Sequence, residues 1–123
     1  MKLFVYGALK TGQMYNSKLG DSVFLSAIKT APNYMLYQPP MTNWPLMAPL
    51  NPGVAVVGEL WEVSDTTMAS LDKLHCVPML FQRKTVTLEN NEEVTCYLIA
   101  DIHMDKSGFA DPIGSDWPVD KTS

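Results

Sequence analysis

The apolar positions of this chain fall into short runs separated by turn-forming residues. Leu3-Phe4-Val5-Tyr6 is continuously apolar and stops at Gly7, the pattern of a short strand buried on both faces. Asn33 to Tyr37 reads as a second strand, and Val54 to Val63 as a longer one. Alternation along the latter assigns Val54, Val56, Gly58 and Leu60 to one face, and Ala55, Val57, Glu59, Trp61 and Val63 to the other. Ser64-Asp65 is a helix start signal, and Met68, Leu71 and His75 then share one side of a helix running to about Leu74. A histidine thus continues the apolar stripe. Lys84 to Glu89 alternates again, Val94 to Ala100 is a further strand, and Asn90-Asn91 between them predicts a hairpin. Residues 14–25 fit a short helix or an irregular segment, weakened by Gly20. Pro39, Pro40, Pro45, Pro49 and Pro52 predict a loop, packed down by Met41, Trp44, Leu46 and Met47. From about residue 101 the chain turns Asp-, Ser-, Gly- and Pro-rich and reads as an irregular tail. Several strands with one clear helix predict an α+β fold with a curved antiparallel or mixed sheet.

Composition narrows the function classes. The 123 residues fit a single domain spanning 1–123, long enough to bury a core without staples. Nine Lys and Arg against thirteen Asp and Glu give a net charge of −4, so the chain lacks the basic stripe of a nucleic-acid-polymer binder. No apolar stretch approaches the roughly 20 residues of a membrane span. Met1 to Tyr6 reads as a strand rather than a secretory leader. With that reading, Cys76 and Cys96 are expected as buried thiols in a reducing, cytoplasmic setting rather than as a bridge.

Several constellations carry possible chemistry. Gly7-Ala8-Leu9-Lys10-Thr11-Gly12 resembles half of a phosphate-binding loop. Gln13 and Met14 follow where that motif needs Lys and Ser or Thr. What remains is a strand-ending turn, or a loop whose free backbone N–H groups hold an anion. His75 and Cys76 are adjacent, and adjacent residues on a helix do not face each other, so they form no thiol–imidazole pair. His75, Cys76, Cys96 and His103 lack the close ligand pairs of a zinc site, and no metal is expected. Glu59 is an inward carboxylate if its strand face is buried, and a solvent-facing or structural one otherwise.

Taken in order, these blocks resemble the gamma-glutamylcyclotransferase-like family, and within it the short gamma-glutamylamine cyclotransferase-like branch. Phe4 to Gln13, with Asn16, is similar to the family's opening Tyr-Gly-Thr/Ser-Leu-Lys-x-Gly signature. Trp44-Pro45-Leu46 resembles its aromatic-Pro-hydrophobic loop, and Gly58 to Val63 its Gly-Glu-Leu-aromatic strand. Leu71-Asp72-Lys73-Leu74, Pro78 and Phe81-Gln82-Arg83 resemble the stretch around its catalytic helix end, and Gly114 to Trp117 its C-terminal ending. The resemblance implies a small mixed β-barrel-like sheet flanked by short helices, with one deep cavity. It also implies a reaction in which a gamma-glutamyl amine closes onto its own gamma-carbonyl and releases 5-oxoproline, with no metal or organic cofactor. Such chemistry needs a base for the attacking ammonium, donors for the oxyanion and a proton for the leaving nitrogen.

Against the family pattern, His75 occupies the position of the proton-carrying glutamate, Ala8 that of a Thr or Ser, and Phe81 that of a frequent Tyr. The expected ligand-binding residues are Tyr6, Gly7, Ala8, Leu9, Trp44, Pro45, His75, Phe81 and Arg83, with Arg83 either meeting an anionic group or pairing with a surface carboxylate. Three readings stand. In the first, the cavity binds or sequesters a small polar or anionic metabolite, nucleotide-like compounds included. Alternatively, the chain is an active cyclotransferase with His75, aided by Glu59, as acid and base. The third is a non-catalytic interaction protein.

Overall fold

In the computed structural model, which describes residues 1–101 and 111–118, eight strands and one α-helix follow the order β1 (Lys2–Val5), β2 (Val23–Lys29), β3 (Tyr34–Gln38), β4 (Leu46–Pro49), β5 (Val57–Glu62), α1 (Asp65–Leu74), β6 (Phe81–Thr87), β7 (Glu93–Ile99) and β8 (Asp111–Gly114). Single 3-10 turns cover Gly7–Leu9 and Asn16–Leu19.

A five-stranded sheet has the order β2-β5-β1-β7-β6. It is mixed: β1 runs antiparallel to β5 and parallel to β7. An isolated bridge between Thr30 and Leu88 brings the two edge strands together at one end and curls the sheet toward a barrel. A three-stranded sheet, β4-β3-β8, packs beside it.

The continuous apolar run at the start of the chain is explained by its position. β1 is the central strand, and its alternate side chains enter two separate cores. Leu3 and Val5 join Met68 and Leu71 of α1, while Phe4 and Tyr6 join Leu36, Met47 and Leu98. Close packing on the second side requires Gly58, where a Cβ would lie 2.3 Å from the tip of the Phe4 ring. The helix begins as its sequence predicts: the Ser64 side chain accepts from the Thr67 N–H, and Met68 and Leu71 are buried. In the β6–β7 hairpin, Asn91 takes the positive φ of 68° that the turn requires.

Four expectations are corrected. Residues 14–25, read as a short helix or an irregular segment, hold the 3-10 turn Asn16–Leu19 and then the start of β2 at Val23; the run Val23-Phe24-Leu25 is exposed on an edge strand, so it lacks the alternation that marks a half-buried one. The proline-rich stretch contains β4, which is an edge strand of the small sheet with Pro49 at its end, where a missing N–H does little harm. The tail is not wholly irregular, because Asp111–Gly114 pairs with β3. The Val54–Val63 strand starts only at Val57, because Val54 bridges to Tyr34 in the other sheet.

Candidate functional site

A cavity of about 310 Å³ opens beside the first glycine turn, the lower end of the size range for small-molecule sites. Of the residues expected there, Tyr6, Ala8, Leu9, Trp44, Pro45, His75 and Phe81 line it. Sequence reasoning missed Tyr15, Leu80 and above all Tyr97. Tyr97 sits on β7 with Ile99 on the same face, and that period-2 pattern, read together with the face of the Leu71 stripe, was the available signal.

The floor is built by the opening loop. Gly7 has φ 61°, and a Cβ there would lie 2.4 Å from Cγ of Pro45, so glycine is required both by conformation and by space. Gly7 itself is not among the lining residues; it sets the turn against Pro45. The Ala8 N–H stands in the first turn of a helix, where no internal acceptor exists, and among the described residues it donates to no other protein group. The Tyr6 hydroxyl is committed elsewhere: it donates to the Tyr97 carbonyl at 2.7 Å and accepts from the Met47 N–H at 3.2 Å. Burial pushes its pKa well up, so Tyr6 offers the cavity its ring.

His75 caps the C-terminus of α1. Its backbone N–H and its Nδ1 both reach the Leu71 carbonyl, at 2.9 Å and 2.7 Å. A carbonyl only accepts, so Nδ1 carries a proton, and in the neutral ring Nε2 is the uncommitted acceptor. Burial lowers the His75 pKa, against the opposing pull of the Leu71 carbonyl and of Asp72. The imidazole stacks on Tyr97 at 4.0 Å with the planes 4° apart, and meets Phe81 edge-on at 5.2 Å. Trp44 packs on the far side of Phe81 at 5.7 Å. A structural capping histidine and a cavity-lining one are therefore the same residue.

The Tyr97 hydroxyl donates to Asp72 at 2.7 Å, and Asp72 holds Arg83 in a bidentate pair at 2.8 and 2.7 Å. The guanidinium holds the Asp72 carboxyl below the usual carboxylate range, with the Tyr97 hydroxyl adding to it. Burial, then Asp72, push the Tyr97 phenol up. Of the two fates open to Arg83, the structure gives it the carboxylate partner, and Arg83 does not line the cavity.

Glu59 is also elsewhere. Its Oε1 accepts from the Thr11 N–H at 2.9 Å, the Thr11 hydroxyl at 3.0 Å and the Trp61 indole at 3.1 Å. It ties the opening loop to β5 and is not among the lining residues. The expectation of two buried thiols is half right. Cys96 is buried and Cys76 exposed, both are free, and Cys76 reaches the cavity wall. The cause is the helix end: Cys76 follows the cap with φ 51° and is turned outward. His103 lies outside the described residues. Among the described residues no helix is long and apolar enough to cross a membrane.

The mixed sheet is shared with solved structures of the AIG2-like fold. An allophanate hydrolase of Kluyveromyces lactis (its S177A variant) superposes with a TM-score of 0.80 at 25% identity, over 95% of this chain and 20% of that one. An AIG2-like protein of Mus musculus superposes with a TM-score of 0.71 at 24% identity, over 88% of this chain and 80% of that one. In sequence, the gamma-glutamylaminecyclotransferase C of Danio rerio is 31% identical over 93 residues, which are 71% of this chain and 61% of that protein. Residues 3–118 match the family "Gamma-glutamyl cyclotransferase, AIG2-like", and the chain belongs to it. It spans only about a fifth of the hydrolase and three-fifths of the zebrafish protein.

Proposed function

We propose that this family member uses its cavity to bind a small polar metabolite rather than to cyclise gamma-glutamyl compounds, with His75 in the place of the family's glutamate. The observation that carries this reading is the chemistry of the wall: among the described residues no Asp or Glu lines the cavity, and the only ionisable nitrogen lining it, on His75, is kept on the neutral side by burial. A gamma-glutamyl substrate brings an ammonium. A neutral imidazole offers that ammonium no charge, and a protonated one repels it.

A second reading keeps support from the same residue. Neutral His75 with Nδ1 committed to Leu71 leaves Nε2 as a base, and general-base help is worth roughly 100- to 10,000-fold. One assay separates the two: release of 5-oxoproline from gamma-glutamyl amines and gamma-glutamyl amino acids. The binding reading expects none from the native protein and measurable turnover from His75→Glu. Native turnover that disappears in His75→Ala overturns it in favour of the enzyme.

A further inference from the structure

Carboxylate, ammonium and guanidinium side chains stay off the described walls of the cavity: among the described residues no Asp, Glu, Lys or Arg lines it. Arg83 is paired with Asp72, Lys10 with Asp116, and Glu59 accepts from Thr11 and Trp61. A charged ligand would lose its hydration here and meet no countercharge, an expensive arrangement for either sign. Open ring faces attract a cation. One face of Tyr97, however, is already covered by His75 at 4.0 Å, and Phe81 is engaged by both His75 and Trp44.

Nε2 of His75 and the Ala8 N–H are two polar groups that the described wall offers a ligand, beside the side chains of Tyr15, Trp44 and Cys76 that also line it. Nε2 of His75 can only accept in the tautomer that the Leu71 carbonyl enforces, and the Ala8 N–H can only donate. The wall also carries the rings of Trp44, Phe81 and Tyr97, together with the apolar Leu9, Leu74 and Leu80. We propose that the cavity selects an uncharged, planar ring carrying a carboxamide, whose N–H donates to Nε2 of His75. The carboxamide is the small neutral group that supplies a donor and an acceptor at once. This rests on the reading of the cavity as a ligand site, and it sets aside the anionic half of the expectation from sequence.

Three compounds of nearly equal shape test it: benzamide, benzoate and benzamidine, with toluene as the apolar control. Each is titrated at pH 7.5 into the native protein, with the amide signals of cavity residues followed by NMR. Benzamide is expected to bind at least ~10-fold more tightly than either charged analogue, the scale of one unmatched polar group. In His75→Phe, benzamide binding falls ~10-fold while toluene is unaffected. His75→Gln, which keeps an acceptor, retains the preference and serves if the Phe variant does not fold. Benzoate or benzamidine binding at the cavity as tightly as benzamide overturns the selection for uncharged ligands while leaving the cavity a ligand site. Benzamide binding that ignores His75→Phe overturns the role given to Nε2. If none of the four compounds moves a cavity signal, both this inference and the ligand-site reading fall.

Discussion

His75 and Tyr97 lie face to face, ring centroids 4.0 Å apart and planes within 4° of parallel. The two rings arrive from different elements, the end of α1 and the middle of β7. Each is fixed from behind, His75 by the Leu71 carbonyl and Tyr97 by Asp72. The stack therefore ties the helix to the sheet at the cavity wall.

His75→Ala removes the imidazole bond to the Leu71 carbonyl together with the stack on Tyr97. An intramolecular hydrogen bond and an aromatic pair are each worth about 1 kcal/mol. Chemical denaturation is expected to show a loss of about 2 kcal/mol. A loss within error of zero contradicts the capping role.

The same residue sets an acid limit. Burial holds the folded His75 pKa below the ordinary 6.5, so the unfolded chain takes up a proton that the folded chain refuses. Stability therefore falls as pH drops below 6.5, and the slope fades once the pH passes the lower folded value. Asp72, held below its ordinary 3.8 by Arg83, contributes stability above that value and loses it as pH falls through its folded pKa. Denaturation midpoints at pH 7, 6 and 5 are expected to decline in the native protein and to decline less in His75→Phe. Because His103 is present in both, the difference reports on His75.

Asp72 and Tyr97 act as a unit with Arg83. The Asp72–Arg83 pair is about one-third exposed, with side chains 29% and 35% accessible, so solvent screening reduces its worth. A double-mutant cycle on Asp72→Asn and Tyr97→Phe is expected to give a coupling of about 1 kcal/mol. Strict additivity would mean that the phenol–carboxylate contact contributes nothing.

Two glycines of the opening loop separate strain from space. Gly7 and Gly12 have φ 61° and 84°, but only at Gly7 would a Cβ strike a neighbour. Alanine at Gly12 is expected to cost about 1 kcal/mol, the price of the left-handed backbone alone. Gly7→Ala is expected to cost about 1–3 kcal/mol more, since Pro45 must also move. Equal losses in thermal or denaturant unfolding would contradict the Gly7–Pro45 contact.

Glu59→Gln tests the carboxylate that the sequence left open. Its partners are Thr11 and Trp61, so the variant is expected to lose no more than about 1 kcal/mol. Benzamide binding and 5-oxoproline release are expected to match the native protein. A change in either would draw Glu59 into the site.

Much of the fold is legible in local pattern. The Ser64 cap, the Met68 and Leu71 stripe and the Asn90-Asn91 turn each concern residues a few positions apart, where spacing and backbone preference decide the outcome. β2 and β4 escaped because both are edge strands: half of their surroundings is solvent, and no alternation is imposed. Seven of the expected site residues reach the cavity, carried by the order of the family-like blocks.

What the sequence determined by itself was the set of short elements and the presence of a histidine at the inward end of the helix stripe. The tertiary structure decided which of the charged side chains face the cavity. Glu59 and Arg83 have the residue types of a site, but each found a nearer partner, in Thr11 and Trp61 or in Asp72. Asp72 lies 11 positions from Arg83 and Thr11 lies 48 from Glu59, and ion pairs and hydrogen bonds form over a few ångströms of space without regard to distance in sequence.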